Sequence, residues 1–226
     1  MFVNVIAHTV AKMQLASIRD YIHEMEKTNT LKLEELSRAS EEEAKKLTDE
    51  EQEMYWDHAM DEFHNLEKTF PSLWRYSTIV LTYSAIEQYL VRVVRPHLAN
   101  ALGYEDIMEL NKNFKREFNK FGYQGHFLRR LGLYMCGKMD IQFPFDCKEW
   151  EFIDDLNTIR NNIVHCNGRV YDDQKVEEIK KAINSYETIN ISDSGEIVIK
   201  QDFIIHMINQ VEAFLSLVFE SVNQKK

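Results

Sequence analysis

Glycine and proline are scarce, with 7 Gly and 3 Pro in 226 residues. That scarcity argues against a turn-rich β protein and for long helices. Cysteine is scarce as well. Cys136, Cys147 and Cys166 are widely spaced, odd in number and contain no C-x-x-C pair. Neither a disulfide framework nor a zinc knuckle is therefore indicated, and small inert thiols in a reducing compartment are expected. No apolar run approaches the roughly 20 residues of a membrane span. No basic region precedes the apolar residues of Met1 to Ile6, so no signal peptide is expected. Together these absences predict a soluble, cytoplasmic, all-α protein that makes no use of a membrane.

What is abundant is acid. The formal net charge is -10, with 37 Asp and Glu against 27 Lys and Arg. The excess is uneven. Residues 1–67 carry 7 basic and 16 acidic side chains, residues 68–170 carry 14 and 11, and residues 171–226 carry 6 and 10. Only the middle stretch is net positive, so a phosphate backbone is attracted there and repelled elsewhere. That distribution excludes broad non-specific DNA binding and permits a small RNA contact at a cleft.

Residues 1–67 read as an acidic helical extension. Ile6, Val10, Met13, Ile18, Ile22 and Met25 share one side of a first helix, Thr28-Asn29-Thr30 breaks it, and a charged helix follows over 31–47. Thr48-x-x-Glu51 is a capping box opening a third helix that runs to about Lys68. Residues 68–226 read as a helical bundle. Pro71 sits in the first turn of a long helix whose stripe runs Tyr76, Ile79, Tyr83, Ile86, Leu90 and Val94 and which stops near Pro96. Glu87 falls on that stripe, where a carboxylate either reaches water at the edge or pairs with a cation; Arg160 is the candidate partner. Short helices follow over Glu105–Leu110, Phe114–Phe121 and His126–Cys136. Lys112, Lys115, Arg116 and Lys120 are interleaved there with Phe114, Phe118, Phe121 and Tyr123, either as an RNA-facing surface or as an amphipathic helix with its aromatics in the core. Asp146 and Glu149 are expected to cap a helix running from Lys148 to about Cys166, ended by Asn167-Gly168. Asp172-Asp173 caps a further helix. Thr188 to Ile199 alternates around Ser192-Asp193-Ser194-Gly195 as a small β-hairpin, and Asp202 caps a last helix.

One stretch carries a recognisable chemistry. Arg160-Asn161 is followed, after three residues, by His165. Spacing alone is weak evidence, since 10 Arg and 8 His in this length give about 0.35 such pairs by accident. Arg92 and His97 are such a pair, but Val93 follows the arginine and Pro96 is expected to break the helix between them. At 100° per residue Asn161 and His165 lie about 40° apart, whereas Arg160 and His165 are separated by about 140°. Two copies of the helix about a two-fold axis bring two Arg and two His together, which predicts a composite site in a homodimer. A histidine there can take the proton of an RNA 2′-hydroxyl or give one to the leaving 5′-oxygen. The arginine can hold the phosphate oxygens as charge builds, and the asparagine can orient either group. No acidic cluster suggests a metal, and no cofactor is called for.

Arg160-Asn161-x-x-x-His165 resembles the signature of the HEPN superfamily: Arg, a polar residue, three others, then His. The resemblance covers roughly residues 70–222 and implies a helical bundle, usually dimeric. It further implies a metal-independent endoribonuclease of the toxin–antitoxin, abortive-infection or antiviral-defence type, leaving 2′,3′-cyclic phosphate and 5′-hydroxyl ends. On that resemblance Arg160 and His165 are catalytic, Asn161 and Glu87 are supporting, RNA is the substrate, and an antitoxin or regulatory protein is a further partner. Some members are inactive dimerisation, nucleotide-binding or protein-binding modules. Residues 1–67 and the hairpin over 187–199 stand outside the resemblance.

Overall fold

The computed structural model describes residues 2–170 and 176–224. The protein is all-α, with one small antiparallel hairpin before the last helix. The helices are α1 (Phe2–Ala44), α2 (Asp49–His64), α3 (Phe70–Leu102), α4 (Ile107–Asn119), α5 (Phe127–Met139), α6 (Lys148–Cys166), α7 (Val176–Asn184) and α8 (Gln201–Gln224). The strands β1 (Ile189–Ile191) and β2 (Ile197–Ile199) pair Ile189 with Ile199 and Ile191 with Ile197. The Asp172-Asp173 cap expected for α7 lies outside the described residues.

Contacts divide the chain into two compact units. The first comprises Met1–Ala16, Leu81–Ile159 and His206–Lys226; the second comprises Ser17–Val80 and Arg160–Ile205. In the first, Leu90, Val94 and Leu98 of α3, Leu110 and Phe118 of α4, and Leu131 and Tyr134 of α5 are all buried. Phe118 and Tyr134 lie 5.5 Å apart, ring to ring. A second aromatic cluster forms where Trp150 meets Phe143 and Phe214 at 5.3 and 5.7 Å. By length and composition α8 could cross a membrane, a property not singled out in the sequence. Met207, Ile208, Val211, Phe214, Leu215 and Val218 of that helix are fully buried.

The second unit is held by Glu26 of α1. Its carboxylate accepts from Arg75 Nε at 2.6 Å and Nη2 at 2.7 Å, and from Trp74 Nε1 at 3.0 Å. Arg75 Nη1 then donates to the Ile199 carbonyl at 2.9 Å. One two-pronged ion pair thus ties α1, α3 and β2 together. Ile18, Ile22, Leu66, Trp74, Ile179, Ile183, Ile189, Ile197 and Ile199 supply its apolar interior.

Several local expectations hold. Thr48 and Glu51 form the capping box in both directions. Asn167 and Gly168 take φ of 53° and 77°, the left-handed stop that ends α6. The hairpin forms in the expected place. Of the aromatics interleaved with cations, Phe114 and Phe118 turn into the core, as in an amphipathic helix.

Other expectations are overturned. Thr28-Asn29-Thr30 does not break α1. Thr30 donates its hydroxyl back to the Glu26 carbonyl at 3.0 Å, and Asn29 Nδ2 donates to the Leu66 carbonyl at 2.8 Å, so both side chains are satisfied inside a helix. The buried stripe of α1 runs Ala7, Ala11, Leu15, Ile18 and Ile22, leaving Ile6, Val10 and Met13 exposed. Pro96 does not stop α3, which runs on to Leu102 and ends at Gly103 with φ of 73°. Proline costs a helix about 3 kcal/mol. Burial of Val93, Val94, Leu98 and Ala99 on either side offsets it. The two pieces expected over Glu105–Phe121 are one helix, capped by Asp106, whose carboxylate accepts from the Met108 amide at 2.8 Å. Asp146 lies one position too early to cap α6; the Trp150 amide donates instead to Cys147 Sγ at 3.4 Å. Asp202 stands inside the first turn of α8 rather than before it. Between α2 and α3 the chain does not loop. It passes through a π-helical turn, Asn65–Thr69, in which the Phe70 amide reaches back five residues to the Asn65 carbonyl.

Candidate active site

The motif residues sit on the last turns of α6. Phe152, Leu156, Ile159 and Ile163 are buried on one face, as the spacing predicts. Each such side chain contributes about 1.5–3 kcal/mol of burial, which fixes the rotation of the helix. Arg160 and Asn161 are half-buried, whereas Val164 and His165 are exposed. Arg160 Nη1 donates to Asn161 Oδ1 at 3.0 Å. The guanidinium and the amide thus meet, and the imidazole lies on the open surface in the last turn.

The helix end is secured by the hairpin. Asn162, 7% exposed, donates through Nδ2 to the Arg169 carbonyl at 2.9 Å. The Ile197 amide donates to the Gly168 carbonyl at 2.8 Å, and the Val170 amide to the Gly195 carbonyl at 2.8 Å. Arg169 reaches Glu196 at 3.3 Å. Tyr76 of α3 donates its hydroxyl to the Ile197 carbonyl at 2.5 Å. Burial pushes the Tyr76 phenol up to about 12, helped by the negative charge of Glu196, so it is a neutral donor. His165 therefore stands three residues before a segment stitched to β2. Sequence reasoning set the hairpin aside as an embellishment. The signal available was the Asn-Gly stop, which places the chain directly after His165 in a tight turn.

A polar pocket of about 280 Å³ lies beside this end of α6, with His64, Lys68, Tyr76, Asn167 and Glu196 among its walls. His64 and Lys68 come from the end of α2 and the π-helical turn, four residues apart. Neither was assigned a role from the sequence.

Glu87 belongs to the first unit. It is half-buried on α3 and lines a cleft with Lys112, Lys115 and Arg116 of α4. The same unit holds a polar cluster that sequence reasoning missed. His126 Nε2 donates to Asp154 Oδ1 at 2.7 Å, its Nδ1 lies 3.5 Å from the Tyr83 hydroxyl, and that hydroxyl donates to Asn157 Oδ1 at 2.8 Å. The ring is held at Nε2 by Asp154 and stacks on Trp150 at 5.7 Å. His126 thus clamps the start of α5 to α6. Arg92 and His97 prove to share one uninterrupted helix, but His97 Nδ1 lies 3.0 Å from the Tyr134 hydroxyl, as a packed side chain does. Among the described residues no group of three or more His, Cys, Asp or Glu is placed to hold a metal ion.

No family model matches the chain, and no curated protein or solved structure matches it either.

Proposed function

We propose that the protein is a metal-independent endoribonuclease of toxin or defence type, working as a homodimer whose two α6 ends form one composite site. The carrying observation is the pairing of Arg160 with Asn161 at 3.0 Å beside an exposed His165 on the last turn of α6. In this reading Arg160 holds the phosphate oxygens of the strand and stabilises the charge that develops on them. His165 takes the proton from the 2′-hydroxyl, or gives one to the leaving 5′-oxygen, with the two copies sharing these tasks. The oxygen–phosphorus bond to the 5′-oxygen breaks as the 2′-oxygen bonds to phosphorus, leaving a 2′,3′-cyclic phosphate and a 5′-hydroxyl. Asn161 orients the guanidinium.

Mass spectrometry of the products tests the chemistry. The reading expects RNA fragments with cyclic-phosphate ends, and intact DNA and intact 2′-O-methyl RNA. Cleavage of either of those two substrates excludes attack by the 2′-hydroxyl.

A second reading is a non-catalytic dimerisation or binding module. It is favoured by α2, which has no buried residue and exposes Met54 and Met60 at 65% each. Growth arrest on expression, relieved by Arg160→Ala, separates the two in favour of the enzyme.

A further inference from the structure

Three cations of the middle stretch line a cleft of the first unit of about 590 Å³. Lys112, Lys115 and Arg116 stand on the exposed face of α4, since positions three and four apart on a helix are neighbours. Glu87 enters from α3 and Phe127, half-buried, from α5. The Lys115 ammonium lies 5.5 Å from the centre of the Phe127 ring, and Arg116 is 3.1 Å from Glu117. None of the three cations comes within ion-pair distance of Glu87, although all four line the same cleft. A half-buried carboxylate beside cations ordinarily pairs with one of them. Here the acceptor and the cations are held apart on different helices.

That arrangement complements a ligand with anionic groups at one end and N–H or O–H donors at the other. An acidic peptide supplies the anions but meets Glu87 as a like charge. A nucleotide supplies both: phosphate for the α4 cations, and base or sugar donors for the carboxylate. The attraction for phosphate is local to these three side chains, since residues 81–159 of the first unit carry 10 Lys and Arg against 11 Asp and Glu.

We infer that the α3–α4 cleft is a nucleotide-binding site for single-stranded nucleic acid, with Lys112, Lys115 and Arg116 on phosphate and Glu87 accepting from base or sugar. The inference does not depend on what the Arg160 and His165 motif does.

The test measures binding alone. A fluorescent 12-nucleotide single-stranded RNA is titrated by anisotropy with full-length protein carrying His165→Ala, at about 50 mM salt and again at about 200 mM. Replacing Lys112 and Lys115 together by Glu is expected to raise Kd by about 30-fold or more at the lower salt, and to lower the salt slope by about 1.4. Lys138→Glu, the same charge change on an exposed residue of α5, is expected to change Kd less than about threefold. Glu87→Leu decides the role of the carboxylate. A simple cationic patch binds more tightly once the acid is gone, whereas a nucleotide site binds about fivefold more weakly. Displacement of the strand by GMP supports the same site with a free nucleotide as its occupant. The inference is overturned by no RNA binding at 50 mM salt, by equal loss in Lys138→Glu and in the double variant, or by tighter binding in Glu87→Leu. Displacement by polyglutamate as effective as by RNA also overturns it. Circular dichroism of each variant must match the parent protein. If the double variant is unfolded, Lys112→Gln and Lys115→Gln singly carry the same test, each expected to lower the salt slope by about 0.7.

Discussion

Gly168 lies against the Tyr76 ring so closely that a Cβ on the glycine would occupy the ring's own space. Its φ of 77° is also in the left-handed region. Two penalties therefore fall on one residue, three positions after His165. Gly168→Ala is expected to lower unfolding stability by about 2–3 kcal/mol, from backbone strain and displacement of the ring. Gly103 provides the comparison. Its φ is 73°, but nothing lies within 4 Å of its missing Cβ. Gly103→Ala is expected to cost about 1 kcal/mol, the backbone term alone. Urea unfolding of both variants measures the difference, and equal losses would show that the Tyr76 contact carries no weight.

The Glu26 and Arg75 pair is largely removed from water, with side chains 11% and 19% exposed. Removing one partner leaves the other charge uncompensated. Glu26→Ala is expected to cost about 3 kcal/mol. Replacing both, as Glu26→Leu with Arg75→Met, is expected to cost less than the sum of the two single changes. A double-mutant cycle by chemical denaturation reads this directly. Strict additivity would mean that the two side chains act independently.

His8 stacks on Phe219 with ring centres 4.2 Å apart, and its Nδ1 is buried without a hydrogen-bond partner among the described residues. Burial, reinforced by the nearby Lys12 charge, holds the imidazole below its ordinary value of 6.5. The folded state therefore binds this proton less readily than the unfolded chain does. The resulting stability is present above 6.5 and is lost as the pH falls from there through the lowered folded value. His8→Phe keeps a flat ring and removes the titration. Between about pH 7.5 and pH 5 the parent protein is expected to lose more thermal stability than the variant. Equal losses would assign the acid sensitivity to other groups.

Much of the fold was legible because local rules and tertiary packing agreed. Thr48 with Glu51, Asn167-Gly168 and the alternating residues on both sides of Ser192 to Gly195 each specify a start, a stop or a turn within a few residues. The errors lie where packing outweighs a local signal. Pro96 stays inside α3 because the residues around it are buried. Thr28 to Thr30 stay inside α1 because Thr30 bonds to its own helix and Asn29 caps a carbonyl of the π-helical turn. A one-dimensional pattern does not show that partner, 37 residues away. The α1 stripe was placed correctly at Ile18 and Ile22 but misplaced near the helix start, where Ala7, Ala11 and Leu15 face inward instead of Ile6, Val10 and Met13. At the site, the sequence identified α6, its Asn167-Gly168 stop and the spacing of Arg160, Asn161 and His165. It did not identify Tyr76, Asn162 or the hairpin backbone, whose contacts join residues far apart in the chain.

The central claim rests on His165, and one rate measurement tests it most directly. Purified protein is incubated with RNA in the presence of EDTA, and initial cleavage rates are compared for the parent chain and His165→Ala. Histidine acid–base catalysis is typically worth about 100-fold or more. The account predicts cleavage by the parent chain and a fall of at least that size in the variant, with folding unchanged because the side chain is exposed. Equal cleavage by the two proteins would contradict it.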